Sequence, residues 1–536
     1  MNGRHAGRVA VEVLERHGVD VMFTLSGGHL FVLYDGAVQT GLRLVDTRHE
    51  QTAAFAAEGW AKLTRRLGCA ALTAGPGVTN GVSAMTAAFM NGSPMVVIGG
   101  RAPRARWGAG SLQELDHVPI VASITKRATT AVSPESVATD VHAACEAARS
   151  PHRGPAFVDI PLDAFGMTDV PVPALSREGY DGAGPDPDVI TRVGALVAAA
   201  QRPVLVVGGD VYWARAEEAM RSFVESAHVP VVVNGMGRGT LPADHRLAFS
   251  RVRTVALREA DVVVVAGTPL DFRLAFGRFG DAEVVHLVDA ESEIAGHATT
   301  AATVVGDLRR TFAALADIGG GHHDDWIVRL RDEERAVRDA ERVGFEADTT
   351  PIKPTRIYGE LQKRLARDAI VIGDGGDFVS YAGKYVDSYL PGTFLDPGPY
   401  GCLGVGPGYA LAAGLAHPDR QIVLLLGDGA AGFSLGDFDS LVRHGVNVTA
   451  IVGNNGIWGL EKHPMRMLFG YDVVAELRPG TRYDRVVEAL GGRGELVEEP
   501  AQLGPALDRA FAADGVTLVN VLTDPADAYP RSSSLA

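Results

Sequence analysis

The apolar positions of the chain fall into short runs that stop in glycine-rich or small-residue turns, and between the runs the spacing changes to a helical period. In the first third, the run at 19–25 leads into Ser26-Gly27-Gly28-His29, and the run at 42–46 into Thr47-Arg48-His49-Glu50. The run at 69–72 leads into Thr73-Ala74-Gly75-Pro76-Gly77, and the run at 95–98 into Gly99-Gly100. An alanine-rich segment, TAAFAAEGWAKL, follows Glu50 and reads as a helix, as does the amphipathic amino-terminal stretch. Strands alternating with helices predict a parallel sheet, and strand ends made of small residues predict one open rim that accepts ligands.

The same grammar returns twice. A second unit has β runs at 204–207, 229–233, 262–266 and 284–288, ending in Gly208-Gly209-Asp210, Asn234-Gly235, Gly267-Thr268 and Asp289. The Pro-, Gly- and Asp-rich stretch 170–188 reads as a linker before it, and a charged helix from 325 to about 346 leaves it for a second boundary at Pro351-Ile352-Lys353-Pro354. A third unit runs through 370–372, Gly373-Asp374-Gly375-Gly376-Asp377 and a glycine-rich tract at 398–408. The expectation is an α/β protein of three doubly wound parallel-sheet domains, at 1–168, 189–320 and 355–530, with the look of an old duplication.

The most telling stretch is 421–458. An apolar run at 422–426 ends in Gly427-Asp428-Gly429; a helical segment carries Leu435, Phe438, Leu441 and Val442 on one face and stops at Gly445; a second run at 446–452 ends in Gly453-Asn454-Asn455. A βαβ unit of this kind delivers Asp428 and Asn454/Asn455 to the same carboxyl edge of a sheet. Oxygen ligands flanked by glycines at a helix start suit a hard Mg²⁺ ion carrying a diphosphate.

Composition narrows the picture. With 65 acidic against 50 basic residues the net charge is −15, which argues against nucleic acid as a partner. Three scattered cysteines make neither a disulfide frame nor a zinc site. No run has the length of a bilayer span, and the amino terminus lacks the apolar core of a signal peptide, so the expectation is a cytoplasmic protein without membrane partners.

The GDG, the 24 residues after it and the NN pair together resemble the diphosphate-and-metal motif of thiamine-diphosphate enzymes. Arg48-His49-Glu50-Gln51, Ala56-Ala57-Glu58-Gly59 and Gly75-Pro76-Gly77 resemble the pyrimidine-binding domain of the same superfamily, and the likeness covers the whole chain in the order pyrimidine, central and diphosphate domain. Within it the chain is similar to the acetolactate-synthase-like branch, and also to benzaldehyde lyase, 2-hydroxyacyl-CoA lyases and oxalyl-CoA decarboxylases.

The resemblance implies that Glu50 is the carboxylate bonded to N1′ of the aminopyrimidine; its plainer alternative is an acid in the first turn of a helix. It implies Asp428, Asn455 and the Ile457 carbonyl as metal ligands. Gly75, Asn80, Gly401, Leu403, Gly427, Gly429, Ala430 and Asn455 are implied to bind cofactor, with Leu403 bending it. His29 and Gln113 match polar catalytic positions, and Gly28 and Trp458 walls of the substrate pocket. The cofactors implied are thiamine diphosphate and Mg²⁺, with FAD or an ADP-type nucleotide as options for the central domain. In acetolactate synthases a GARFDDR-like stretch supplies an arginine for the second ketoacid, whereas here Gly267-Thr268-Pro269-Leu270-Asp271-Phe272-Arg273 puts Pro269 at that position. The expected activity is making or breaking a C–C bond beside a carbonyl, acetolactate-synthase-like, with a 2-hydroxyacyl-CoA or aromatic 2-hydroxyketone lyase as alternative and a catalytically silent paralogue as the rival class. The partner is a small carbonyl substrate, and a homodimer, with a homotetramer also open, is the implied working unit.

Overall fold

The computed structural model describes residues 4–165, 182–527 and 529; positions 170–181 of the expected linker lie outside them, and its last two residues already belong to the helix Pro187–Ala199. Three parallel sheets carry the chain. The first has six strands, β1 (Val21–Thr24), β2 (Arg43–Asp46), β3 (Gly68–Leu72), β4 (Met95–Arg101), β5 (Arg127–Thr130) and β6 (Pro155–Pro161), in the order β2-β1-β3-β4-β6-β5. The second has five, β7 (Pro203–Val207), β8 (Val231–Val233), β9 (Val262–Ala266), β10 (Glu283–Val288) and β11 (Ala302–Val305), in the order β11-β10-β9-β7-β8. The third has β12 (Ile370–Asp374), β13 (Phe394–Leu395), β14 (Ile422–Gly427), β15 (Val448–Asn454), β16 (Arg493–Val497) and β17 (Val516–Leu522), in the order β13-β12-β14-β15-β17-β16.

Renumbered within each sheet, the first and third orders are the same, 2-1-3-4-6-5, and the second, read from its other end, is 2-1-3-4-5. Each sheet therefore reverses direction between its first and third strands, and ligands of such sheets sit beyond the carboxyl ends of those strands. The loops there are the glycine-bearing turns picked out above: Ser26–His29 and Thr73–Gly77; Gly208–Asp210 and Gly267–Pro269; Asp374–Asp377 and Gly427–Gly429.

The helix expected across 428–445 is present with a kink. Helices Asp428–Ser434 and Phe438–Arg443 are joined by a 3₁₀ turn at Leu435–Asp437, and Gly445, at φ +64°, ends the segment. The following strand begins at Val448 rather than 446, because the Val446 N–H bonds the Leu441 carbonyl at the helix end (3.2 Å).

The first and third sheets share one apolar core, in which Phe55, Ala56 and Leu72 join Ile372, Leu411 and Leu424. Its centre is helix Glu50–Thr64 lying on helix Gly406–Ala416. Alanines at 53, 54, 56 and 57 join those at 410, 412 and 413 in this core, all fully buried. Two glycines set the spacing. A Cβ on Gly59 would lie 3.0 Å from the Tyr409 ring, and one on Gly408 would lie 2.7 Å from the Phe55 Cβ. Within this contact Lys62 Nζ pairs with Glu58 Oε1 (2.9 Å) and donates to the Tyr409 hydroxyl (2.9 Å), which in turn donates to Glu58 Oε2 (2.7 Å). Asn91 Nδ2 also donates to Glu58 Oε1 (2.8 Å), and Tyr212 of the central sheet's domain donates to the Lys62 carbonyl (2.6 Å). The buried Glu58–Lys62 pair thus joins the first unit to the third through Tyr409, and the Lys62 backbone joins it to the central one. No helix among the described residues is long and apolar enough to cross a membrane.

Removing one partner of a satisfied buried pair strands the other charge. Lys62→Ala is expected to cost about 3–5 kcal/mol in urea unfolding, and Glu58→Gln with Lys62→Met together less than that. A loss for Lys62→Ala below about 1 kcal/mol, the range of surface pairs, would contradict this account.

Candidate active site

The pyrimidine-side candidates gather at the carboxyl rim of the first sheet. Glu50 is the first residue of its helix and is buried; His49 caps the helix by accepting the Gln51 N–H at Nδ1 (3.1 Å). Asn80 Nδ2 donates to Glu50 Oε2 (3.0 Å), and a Cβ on Gly77 would lie 3.5 Å from Glu50 Oε1. Helix Pro76–Asn80 thus supplies both of these neighbours, and Gly75 precedes it at φ +61°, ψ −113°, open to glycine alone. A Cβ on Gly75 would lie 2.9 Å from the Gln113 Cβ, so Gln113, itself at φ +58°, belongs to the same rim.

His29 is buried beside it. Its Nδ1 lies 3.3 Å from the Thr73 hydroxyl, and a Cβ on Gly100 would meet its Cβ at 2.5 Å. Burial holds the imidazole below its ordinary value, against the pull of a backbone hydrogen bond at Leu112. His29 is therefore uncharged at neutral pH. Gly28, exposed, opens the turn in front of it.

The diphosphate-side candidates gather at the rim of the third sheet. Gly427, Asp428, Gly429, Ala430, Asn455, Ile457 and Trp458 line one cleft together with Gly375, Gly376 and Asp377. Asp428 accepts the Gly456 N–H at Oδ2 (2.7 Å) and its neighbour Gly429 N–H at Oδ1 (3.1 Å). Burial pushes its carboxyl up to about 6, outweighing the backbone donors. Asn455 Oδ1 accepts the Ile457 N–H (3.1 Å). Its neighbour Asn454 faces away, donating to Asn520 Oδ1 (3.1 Å) and the Thr481 carbonyl (2.9 Å) inside the sheet, so of the NN pair Asn455 alone lines the cleft. Trp458 lies over Gly429, where a Cβ would fall 2.5 Å from its ring.

Leu403 reaches this rim from the glycine-rich tract: a Cβ on Gly375 would lie 2.9 Å from its Cδ2 and 2.3 Å from the Ala430 Cβ. Gly401, at φ +69°, turns the chain two residues earlier. Asp374, at the end of β12, holds the loop by accepting the Gly404 N–H (3.0 Å) and the Gly406 N–H (2.8 Å). The two rims are tied by Asp437 in the kink of the βαβ unit. Its carboxylate accepts the Arg48 N–H (2.8 Å) and the Thr52 hydroxyl (2.6 Å), on either side of Glu50. Sequence reading gave Asp374 and Asp437 no role, because the backbone N–H groups that they hold lie 30 to 389 residues away.

At the central rim a cavity of about 630 Å³ opens between the first and second sheets, lined among others by Lys62, Lys126, Arg153, Asp210 and Arg273. Arg273 grips Asp271 through Nε and Nη2 and faces this cavity rather than the cofactor cleft. Asp289, just past the end of β10, a place where doubly wound sheets hold the ribose of a nucleotide, lies 3.4 Å from Arg153 and 3.7 Å from His152.

The cleft fits a Mg-diphosphate group. It offers a buried carboxylate whose charge only peptide N–H groups offset, an amide oxygen and small residues that leave backbone exposed. The chain matches three family descriptions in order: "Thiamine pyrophosphate enzyme, N-terminal TPP binding domain" over residues 4–120, the central domain over 190–315, and the C-terminal TPP binding domain over 374–521. It belongs to the thiamine pyrophosphate enzyme family. Over 536 residues, 99% of this chain and 98% of the relative, it is 57% identical both to a "Probable acetolactate synthase" of Mycobacterium bovis and to "Acetolactate synthase large subunit IlvG" of Mycobacterium tuberculosis. It is 34% identical to "2-hydroxyacyl-CoA lyase 2" of Homo sapiens, over 92% of this chain and 85% of that one.

The burial of His29 makes a direct forecast. Its titration, followed by NMR of the imidazole protons, is expected to have a midpoint below the ordinary histidine value of about 6.5. A midpoint above it would contradict the burial described for this side chain.

Proposed function

We propose that the chain is a thiamine-diphosphate- and Mg²⁺-dependent carboligase of the acetolactate synthase type, acting on 2-ketoacids or related carbonyl compounds. The observation that carries this reading is the Glu50 carboxylate, buried at a helix start with Asn80 on one oxygen and the Gly77 turn against the other. A carboxylate so placed can hold a proton at N1′ of an aminopyrimidine, the tuning that such a cofactor requires.

When bound, thiamine diphosphate supplies a carbon nucleophile that makes or opens C–C bonds next to a carbonyl. In the proposed roles Asp428, Asn455 and the Ile457 carbonyl hold Mg²⁺, and backbone at Gly427, Gly429 and Ala430 approaches the phosphates. Leu403, next to Ala430 and in the loop fixed through Asp374, would wedge against the cofactor and help to orient its reacting groups. Gly75 and Asn80 line the pyrimidine. His29, uncharged, passes a proton at the substrate oxygen while Gln113 orients that oxygen. Gly28 and Trp458 wall the pocket and exclude water.

The working unit is proposed to be a homodimer in which the pyrimidine rim of one copy faces the diphosphate rim of the other, with a tetramer as the larger assembly. Both rims carry bare apolar side chains in support: Phe31 and Leu112 beside His29 and Gln113, and Phe433, Met467, Phe469 and Val474 around the Trp458 segment. Surfaces of that kind are covered in working proteins. A cytoplasmic location without nucleic-acid or membrane partners goes with this reading. FAD or an ADP-type nucleotide in the central cavity would have to compete with Arg153 and His152 for Asp289.

The 2-hydroxyacyl-CoA or 2-hydroxyketone lyase reading draws on Pro269, which leaves no arginine at the position expected for a second ketoacid. Acetolactate formation from pyruvate and cleavage of a 2-hydroxyacyl-CoA should be assayed side by side. Acetolactate well above background is expected, and its absence together with lyase activity would replace the first reading by the second. Mixing inactive Glu50→Gln and Asp428→Ala subunits should restore one working site of two in each heterodimer. No recovery after proven subunit exchange would contradict a site shared between copies.

A further inference from the structure

We propose that His117 is a positioning residue for the cofactor's aminopyrimidine, acting through the backbone of Gly75. The proposal rests on the thiamine-diphosphate reading above. His117 is fully buried behind the pyrimidine rim, with Nε2 2.9 Å from the Gly75 nitrogen and Nδ1 3.0 Å from Asp159 Oδ2. A peptide N–H can only donate, so Nε2 accepts, and the ring proton sits on Nδ1 and goes to Asp159. Asp159, also fully buried, is held in turn by Arg101 Nη1 (2.7 Å), whose guanidinium stacks on Trp107 at 4.1 Å. The tautomer is fixed from behind.

What hangs on that one acceptor is the geometry around Glu50. Gly75 is the residue in the glycine-only conformation that starts helix Pro76–Asn80. That helix places Gly77 against Glu50 Oε1 and Asn80 on Oε2, while Gly75 itself abuts Gln113. Without an acceptor at Nε2 the Gly75 N–H would be a buried donor with no partner, a state proteins avoid by moving the backbone. A shift there moves Gly77, Asn80 and Gln113 together relative to Glu50. The side-chain hydrogen bonds of His117 go to the Gly75 N–H and to Asp159, so its route to the carboxylate runs through the turn. The tail of the cofactor, held at the other rim, should feel little of it.

Two amide substitutions separate this role from packing. In His117→Gln the longer side chain can bring its Oε1 to the place of Nε2 and accept from Gly75. In His117→Asn the shorter one reaches Asp159 and stops short of the turn. The full-length His117→Gln and His117→Asn variants and the native chain should be compared for melting temperature, dissociation constant for thiamine diphosphate with Mg²⁺, the circular-dichroism band of the bound aminopyrimidine, and kcat. The expected result is that His117→Gln resembles the native chain. His117→Asn should lose about 10–100-fold in kcat, the scale of an ångström-sized misplacement, with an altered dichroism band and a dissociation constant little changed. Equal behaviour of two folded variants, whether both are intact or both impaired, would overturn the proposal. If His117→Asn does not fold, the glutamine variant decides alone: near-native kcat and dichroism support the role, and their loss overturns it. A native chain that binds no thiamine diphosphate would overturn the cofactor reading first and this inference with it.

Discussion

The close approach of helix Glu50–Thr64 to helix Gly406–Ala416 is the contact on which the rest of the molecule depends. Alanine faces and the bare Gly59 and Gly408 let two backbones come near enough to merge the cores of two sheets. At such spacing every side chain larger than alanine is felt, because a packed interior has no slack. The same helix begins with Glu50 and, across its third and fourth turns, carries the Glu58–Lys62 pair, so the candidate catalytic carboxylate is anchored by an extensive interdomain contact. Asp437, joined to Arg48 and Thr52, adds a second anchor within a turn of Glu50 itself.

Around that contact the three sheets repeat one solution. A doubly wound sheet leaves its ligand crevice where strand order reverses, and each of the three here presents glycine-bearing loops at that place. The identical orders of the first and third sheets fit the duplication suggested by the sequence, with division of labour between copies: one rim carries carboxylate, imidazole and amides, the other a buried acid and small residues. The central sheet uses the corresponding crevice for a cavity and closes part of it with the Asp289 contacts to Arg153 and His152.

Much of this was legible in the sequence because strands buried on both faces are continuous apolar runs and their ends are punctuated by glycine. Asp428 could be picked out since it stands at such an end, whereas the roles of Glu50 and Gly75 came from the family resemblance of the turns that hold them. Strands β5 and β16 gave little signal, as they are partly exposed edge strands with polar residues. Strand β15 starts two residues late because Val446 is drawn into capping a helix, a tertiary choice invisible to periodicity. The motif pair Asn454-Asn455 looked equivalent, yet strand alternation turns Asn454 into the sheet and leaves Asn455 at the cleft. His117, Asp159 and Asp437 carry no local pattern, and Asp374 shows only a strand-end glycine turn with no sign of the loop that it holds. Their meaning lies in the distant donors and acceptors that the fold brings to them.

The central claim is that Glu50, fixed by that helix contact, activates a cofactor whose tail is held at the other rim. Deuterium exchange at C2 of thiamine diphosphate, measured by rapid quench with Mg²⁺ and no substrate, tests it directly. The account predicts exchange far faster on the native chain than in free solution, and a fall of at least about 10²-fold for Glu50→Gln, the scale of a positioned acid–base group, with cofactor still bound. Tight binding without acceleration, or acceleration untouched by Glu50→Gln, would contradict it.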